Sequence, residues 1–296
     1  MLIDIHTHTH KQRHAKLKRF TGSGTAFPTP ERLIQMMDAE GTDMAVILPL
    51  VSPECRTTLV IPEEILEISS QYPDRLIPFC NFDPRFLRNS PEADFSSHLE
   101  AYKELGCKGI GEYIPNIPFD DPLNMNFFKY VEESGFPLIF HMAPRKGGCY
   151  GVIDDLGLPK LEKVLQTFPN MILLGHSQTF WSEIGSDVNE TNRAGYPKGK
   201  VTPGRVVELM RRYPNLHGDL SAGSGFNAIS RDPEFGYRFM EEFQDRLYYG
   251  TDIASYDQVN DCVPYFRKLK EEKLVPDEVF EKITWKNANR LLNLGL

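Results

Sequence analysis

The chain has 296 residues, 41% of them hydrophobic and 25% charged, which is the balance of a globular protein large enough to bury a core without disulfide staples. Its 41 acids outnumber 33 bases for a formal charge of −8, which argues against a general nucleic-acid binder, and no apolar run approaches the roughly 18 residues of a membrane span. The five cysteines, at 55, 80, 107, 149 and 262, are odd in number and form no CxxC pair, so reduced thiols and a cytoplasmic location are expected. The N-terminus, Met-Leu-Ile-Asp-Ile-His, lacks the basic and apolar regions of a signal peptide.

In chain order, short apolar runs alternate with longer helical patterns. Strands are expected at 2–8, 43–50, 76–82, 107–113, 137–142, 171–177, 216–221 and 247–252. Their mostly continuous apolar character is that of strands covered on both faces. Amphipathic helices are expected at 30–37, 62–71, 95–105, 124–134, 158–167, 203–212, 233–243 and 259–271, with closing helices over 277–294. Three helices end in a similar phrase, Tyr72-Pro73-Asp74, Phe168-Pro169-Asn170 and Tyr213-Pro214-Asn215, whose proline and Asp or Asn make a turn into the next strand. Eight β-then-α units predict a single (β/α)8 barrel over 1–296. An open doubly wound sheet is the alternative, but no GxGxxG turn follows the first strand. Two long connections, 10–29 and 178–202, leave the C-terminal ends of strands, where barrel active sites lie.

The chemistry sits at the strand tips. In Asp4-Ile5-His6-Thr7-His8, alternation puts both imidazoles on one face with Asp4 behind them. Two adjacent imidazoles suit a divalent cation such as zinc. Glu112, His141, His176 and Asp252 end the fourth, fifth, sixth and eighth expected strands. Singly, each has an ordinary reading as a satisfied core histidine or a helix-capping acid. Together, in a barrel, they face one mouth, and a metal is the simplest object that pairs with all of them.

This order of His-x-His, strand-4 Glu, strand-5 His, strand-6 His and strand-8 Asp resembles the amidohydrolase superfamily. The resemblance runs from Leu2 to the closing Asn287-Ala288-Asn289-Arg290-Leu291-Leu292, which is similar to the end of the amidohydrolase-related group. That group holds hydrolases as well as decarboxylases of the aminocarboxymuconate-semialdehyde and resorcylate types. The resemblance implies that His6, His8, His141 and Asp252 bind metal, with His176 a further ligand or a catalytic base. Gly111-Glu112 looks like the strand-4 Gly-Glu of TatD-type hydrolases, so Glu112 would replace the bridging lysine of many relatives; no lysine ends strand 4 here. One or two cations, with zinc favoured and manganese, iron or cobalt compatible, both fit. Asp252 would then act as general base and acid on a water attacking an amide, lactone or ester. In a decarboxylase, Asp252 or His176 would instead protonate a ring carbon. A barrel that binds metal or ligand without turnover is the remaining reading.

The expected partner is a small, anionic substrate. The segment 11–19 carries five Lys or Arg, Arg13 among them, beside the expected metal, although such runs are usually solvated surface. Arg145 offers a guanidinium for a carboxylate or phosphate. Tyr113 is a candidate pocket wall, and Phe180 and Trp181 candidates to cover a ring. His217 reads as structural, His98 as surface, and Asp219 as a hydrogen-bond partner for a ligand histidine. Substrate identity and assembly into a homo-oligomer stay open.

Overall fold

The structure is a computed structural model that describes residues 1–11, 27–55 and 59–296. Each expected apolar run holds a strand: β1 Ile3–Thr7, β2 Met44–Ile47, β3 Leu76–Pro78, β4 Ile110–Tyr113 and β5 Leu138–Ala143. After β6, Val152–Ile153, come β7 Leu173–His176, β8 Leu216–Asp219 and β9 Leu247–Tyr248. β6 was not expected; it lies in the connection after β5 and pairs with that strand alone. The eight barrel strands are parallel and almost wholly buried, as their mostly apolar sequences require.

Ladders join β1-β2-β3 and β4-β5-β7-β8-β9. The hydrogen-bond ladder is not continuous around the barrel. At one seam the link is an isolated bridge from Cys80 to Ile110, and at the other a bridge from Thr7 to Ile253, supported by Ile5 N to Tyr249 O at 3.0 Å.

The helices follow their sequence signals. Pro30–Glu40 begins under a Thr29 cap and ends at Gly41 in the left-handed conformation; Pro122–Ser134 begins under Asp121 and ends likewise at Gly135. The three aromatic-Pro turns close alike: the amides of Arg75, Met171 and Leu216 bond the carbonyls of Tyr72, Phe168 and Tyr213. Helix Ala222–Ser230 was hidden by its glycine- and serine-rich start, and the short helix Gln178–Ser182 falls inside an expected loop.

Strand alternation sorts the side chains. On β5, Leu138 and Phe140 join a large core with Phe119, Phe128 and Phe180, which leaves Ile139 and His141 on the opposite face. The parallel register then sets His141 beside His176, and Gly175 beside Gly218 just before Asp219. The fold thus delivers chemistry from several strands to one level.

Candidate active site

His6 and His8 leave β1 together, and their Nε2 atoms face each other at 3.1 Å. Each ring is held from behind. His6 Nδ1 lies 2.7 Å from Asp219 Oδ2, and His8 Nδ1 lies 3.4 Å from the Leu48 carbonyl. Both back partners are acceptors, so each imidazole carries its proton on Nδ1. Two Nε2 lone pairs then point at one another in a buried space, an arrangement that a shared cation relieves. His8 is also stacked on Phe27, with ring centroids 5.2 Å apart.

Glu112 reaches in from β4. Its Oε2 lies 3.5 Å from His8 Nε2 and 4.0 Å from His6 Nε2. Its Oε1 lies 2.8 Å from His141 Nδ1 and 3.9 Å from His176 Nε2. Burial alone would raise this carboxyl, but His141, His6 and His8 more than offset it and hold the group well below the usual carboxylate range. Asn81 supports the strand end by donating to the Glu112 carbonyl at 2.6 Å.

Asp252 completes the ring. Oδ1 lies 3.6 Å from His6 Nε2 and 3.5 Å from His8 Nε2, and Oδ2 lies 3.8 Å from His176 Nε2. Its side chain is 25% exposed against 6% for Glu112, so Asp252 is the more accessible of the two carboxylates. The backbone there is left-handed, φ 56°, pinned by Asp252 N to His6 O at 2.9 Å and by Gln258 Nε2 to Asp252 O at 2.7 Å. Asp4 sits behind β1 as its sequence position implied, accepting from Thr251 Oγ1 at 2.5 Å and from the His6 amide at 2.9 Å. Burial pushes its carboxyl well above the ordinary range.

His176 is wholly buried. Burial disfavours its charged form, but Asp219, Asp252 and Glu112 outweigh this and push it up to about 9. His141 goes the other way, lowered by burial in spite of Glu112. Three overlapping donor sets, His6/His8/Glu112, His6/His176/Asp252 and Glu112/His141/His176, each have ligand atoms within 4.8 Å of one another. Nitrogen and carboxylate donors in this mixture fit a first-row divalent cation.

A family model described as Amidohydrolase matches residues 3–294. The chain belongs to the amidohydrolase family. Its fold is shared with an uncharacterized TIM-barrel protein from Bordetella bronchiseptica, at 16% identity over 99% of each chain with a TM-score of 0.65. A dihydroxybenzoic acid decarboxylase from Polaromonas sp. JS666, with bound manganese and 2-nitroresorcinol, aligns at 13% identity over 100% of this chain and 97% of its own, TM-score 0.62. A probable 2-pyrone-4,6-dicarboxylic acid hydrolase from Acinetobacter baumannii, with citric acid bound, aligns at 15% over 99% of each chain, TM-score 0.58. No curated protein matches this sequence.

Outside the histidine–carboxylate ring, this member of the family departs from several expectations. Tyr113 does not line the pocket. It is fully buried, its ring stacks on Phe127 and its hydroxyl bonds Asn124 Oδ1 at 2.6 Å. Phe180 and Trp181 do not cover a ligand either. Helix Gln178–Ser182 folds them back onto the barrel wall, where Phe180 lies against Gly175 and Trp181 against Gly218. A Cβ would stand 2.3 Å from the Phe180 ring at Gly175 and 2.7 Å from the Trp181 ring at Gly218, so these glycines admit the rings. The indole nitrogen donates to the Asp219 carbonyl at 2.8 Å.

Arg145 is exposed on the connection after β5, its carbonyl held by Asn116 Nδ2 at 3.0 Å. Arg13 lies outside the described residues, as does most of the basic segment. His217 is structural, as expected, buried and 2.9 Å from Tyr248 Oη. His98 is half-buried against Phe82 and Phe86 rather than on the surface. The sequence did not flag Ser221, Gln258 or Asn81. Ser221 follows the same Gly-Asp-Leu-Ser turn as Asp219 and reaches His176 Nδ1 at 3.0 Å.

Proposed function

We propose that this protein is a metal-dependent hydrolase that adds water across an amide, lactone or ester bond of a small anionic molecule. The reading takes residues 1–296 as one catalytic domain, with His6, His8, Glu112, His141, His176 and Asp252 as the ligand set. The observation that carries it is Glu112, whose two oxygens face two different groups of donors, 3.5 Å from His8 on one side and 2.8 Å from His141 on the other. A carboxylate so placed would serve both groups of donors if two cations were bound. Zinc suits the donors best, and manganese, iron or cobalt are compatible. Bound there, such cations supply Lewis acidity and make water available as a nucleophile near neutral pH.

The chain's own residues supply the rest. Asp252, the partly exposed carboxylate, takes a proton from the attacking water as its oxygen bonds the substrate carbonyl carbon. The same carboxyl returns that proton to the departing nitrogen or oxygen as its bond to carbon breaks, a role typically worth about 10²–10⁴ in rate. His6 and His8 hold their Nε2 atoms inward because Asp219 and the Leu48 carbonyl occupy the other side of each ring. Arg145, four residues past His141 on the exposed connection after β5, is the guanidinium this reading assigns to an anionic group of the substrate.

One observation favours a second reading, a decarboxylase. The fold is shared with a dihydroxybenzoic acid decarboxylase, and His176, 3.8 Å from Asp252 and 3.9 Å from Glu112, would in that reading deliver the proton to the ring carbon. Product analysis separates the two. Lactones, amides and hydroxylated aromatic acids are incubated with the metal-loaded enzyme and with Asp252→Asn. The hydrolase reading expects a new carboxylate without CO2, lost in the variant. Release of CO2 from an aromatic acid would replace it with the decarboxylase.

A further inference from the structure

The Asp219 carboxylate serves two histidines at once. Oδ2 lies 2.7 Å from His6 Nδ1 and 3.2 Å from His176 Nδ1. Its other oxygen, Oδ1, accepts the Ser221 amide at 2.9 Å. The residue is fully buried, and its carbonyl is fixed by the Trp181 indole at 2.8 Å. Asp219 therefore has no freedom to turn, and its position is set by the ring packed against Gly218.

We propose that Asp219 is a positioning residue that sets the tautomers of His6 and His176 together, so that both Nε2 lone pairs open on the cation site. A carboxylate oxygen can only accept, so each Nδ1 facing it must carry a proton. Were either ring to hold its proton on Nε2, a lone pair would face a buried carboxylate and an N–H would point at the cation. For His176 the nearby Ser221 hydroxyl, 3.0 Å from Nδ1, does not by itself decide the matter, because a hydroxyl donates or accepts. Asp219 decides it. One side chain thus couples a β1 histidine to a β7 histidine, and both depend on a single residue at the end of β8.

An Asn at this position exposes the requirement. Its carboxamide has one acceptor and one donor. The Ser221 amide needs the acceptor, which would turn the amide NH2 toward the two Nδ1–H groups. The conflict is resolved only by flipping an imidazole tautomer or by leaving the Ser221 amide unpaired.

This inference rests on reading the cluster as a cation site, and the test separates the two. Zn2+ alone is titrated into cation-stripped wild type and Asp219→Asn, with the thermal midpoint of each stripped protein measured alongside. The expected result is a loss of about 10–100-fold in Zn2+ affinity in the variant, beyond any change in stripped-protein stability. If wild type binds no Zn2+, the cation-site reading fails and this proposal with it. If wild type binds and the variant binds equally well, the positioning role alone is overturned. Should the variant fail to fold, long-range proton–nitrogen NMR of cation-stripped wild type at alkaline pH decides: His6 and His176 are expected to carry their protons on Nδ1, and a proton on Nε2 of either contradicts the proposal.

Discussion

His141 Nδ1 and Glu112 Oε1 are 2.8 Å apart, while the second oxygen of the same carboxylate lies 3.5 Å from His8. Glu112 therefore spans the two halves of the site, and its backbone is fastened by Asn81 so that it does so. A glutamine keeps the shape but offers one acceptor oxygen and no charge. In Glu112→Gln, elemental analysis should find bound metal reduced from about two equivalents to about one or fewer, and turnover lowered by at least about 10²-fold. Retention of the full metal content would mean that Glu112 is not shared.

Trp181 tests where the long connection after β7 goes. Its ring fills the space over Gly218 and its nitrogen holds the Asp219 carbonyl. Trp181→Ala should destabilise the fold by about 3–5 kcal/mol in urea denaturation, the usual cost of emptying a buried aromatic site. A residue that covered substrate would instead raise KM with little effect on stability.

The strands, their order and the convergence of the histidines and carboxylates were legible in the sequence because each depends on local pattern. His6 and His8 share a face by alternation, and the other candidate ligands end apolar runs. The same alternation puts Tyr113 on the face opposite Glu112, so its core position was also readable and was overridden by adjacency to the site. Phe180 and Trp181 were not readable in this way. Their burial depends on Gly175 and Gly218, two residues from two different strands that become neighbours only in the folded register. Asp219 was half-legible: its turn suggested a histidine partner, but that it serves two histidines follows only from the packing of β1, β7 and β8.

His217 gives the fold a pH dependence apart from the site. Burial, then the charges of Arg246 and Arg290, depress its pKa to about 3 from an ordinary 6.5. The unfolded chain therefore binds a proton below about 6.5 that the folded chain refuses, so this histidine costs stability as pH falls toward 3 and costs nothing above neutrality. Wild type should lose roughly 2–3 kcal/mol relative to His217→Phe between pH 7.5 and 4.5, from 1.36 kcal/mol per pH unit. The loss of the Tyr248 hydrogen bond adds only a pH-independent offset. Parallel stability curves for the two proteins would show that His217 does not titrate this way.

The paired imidazoles of β1 and the carboxylates around them are expected to hold metal. The most direct test is the metal content per chain, by elemental analysis after metal-replete purification without a histidine tag, for wild type and for the His6→Ala/His8→Ala double variant. About two equivalents are predicted in wild type, with most of that lost in the variant, since both Nε2 donors are gone. No bound metal in wild type, or the same content in both proteins, would contradict the account and leave only the barrel.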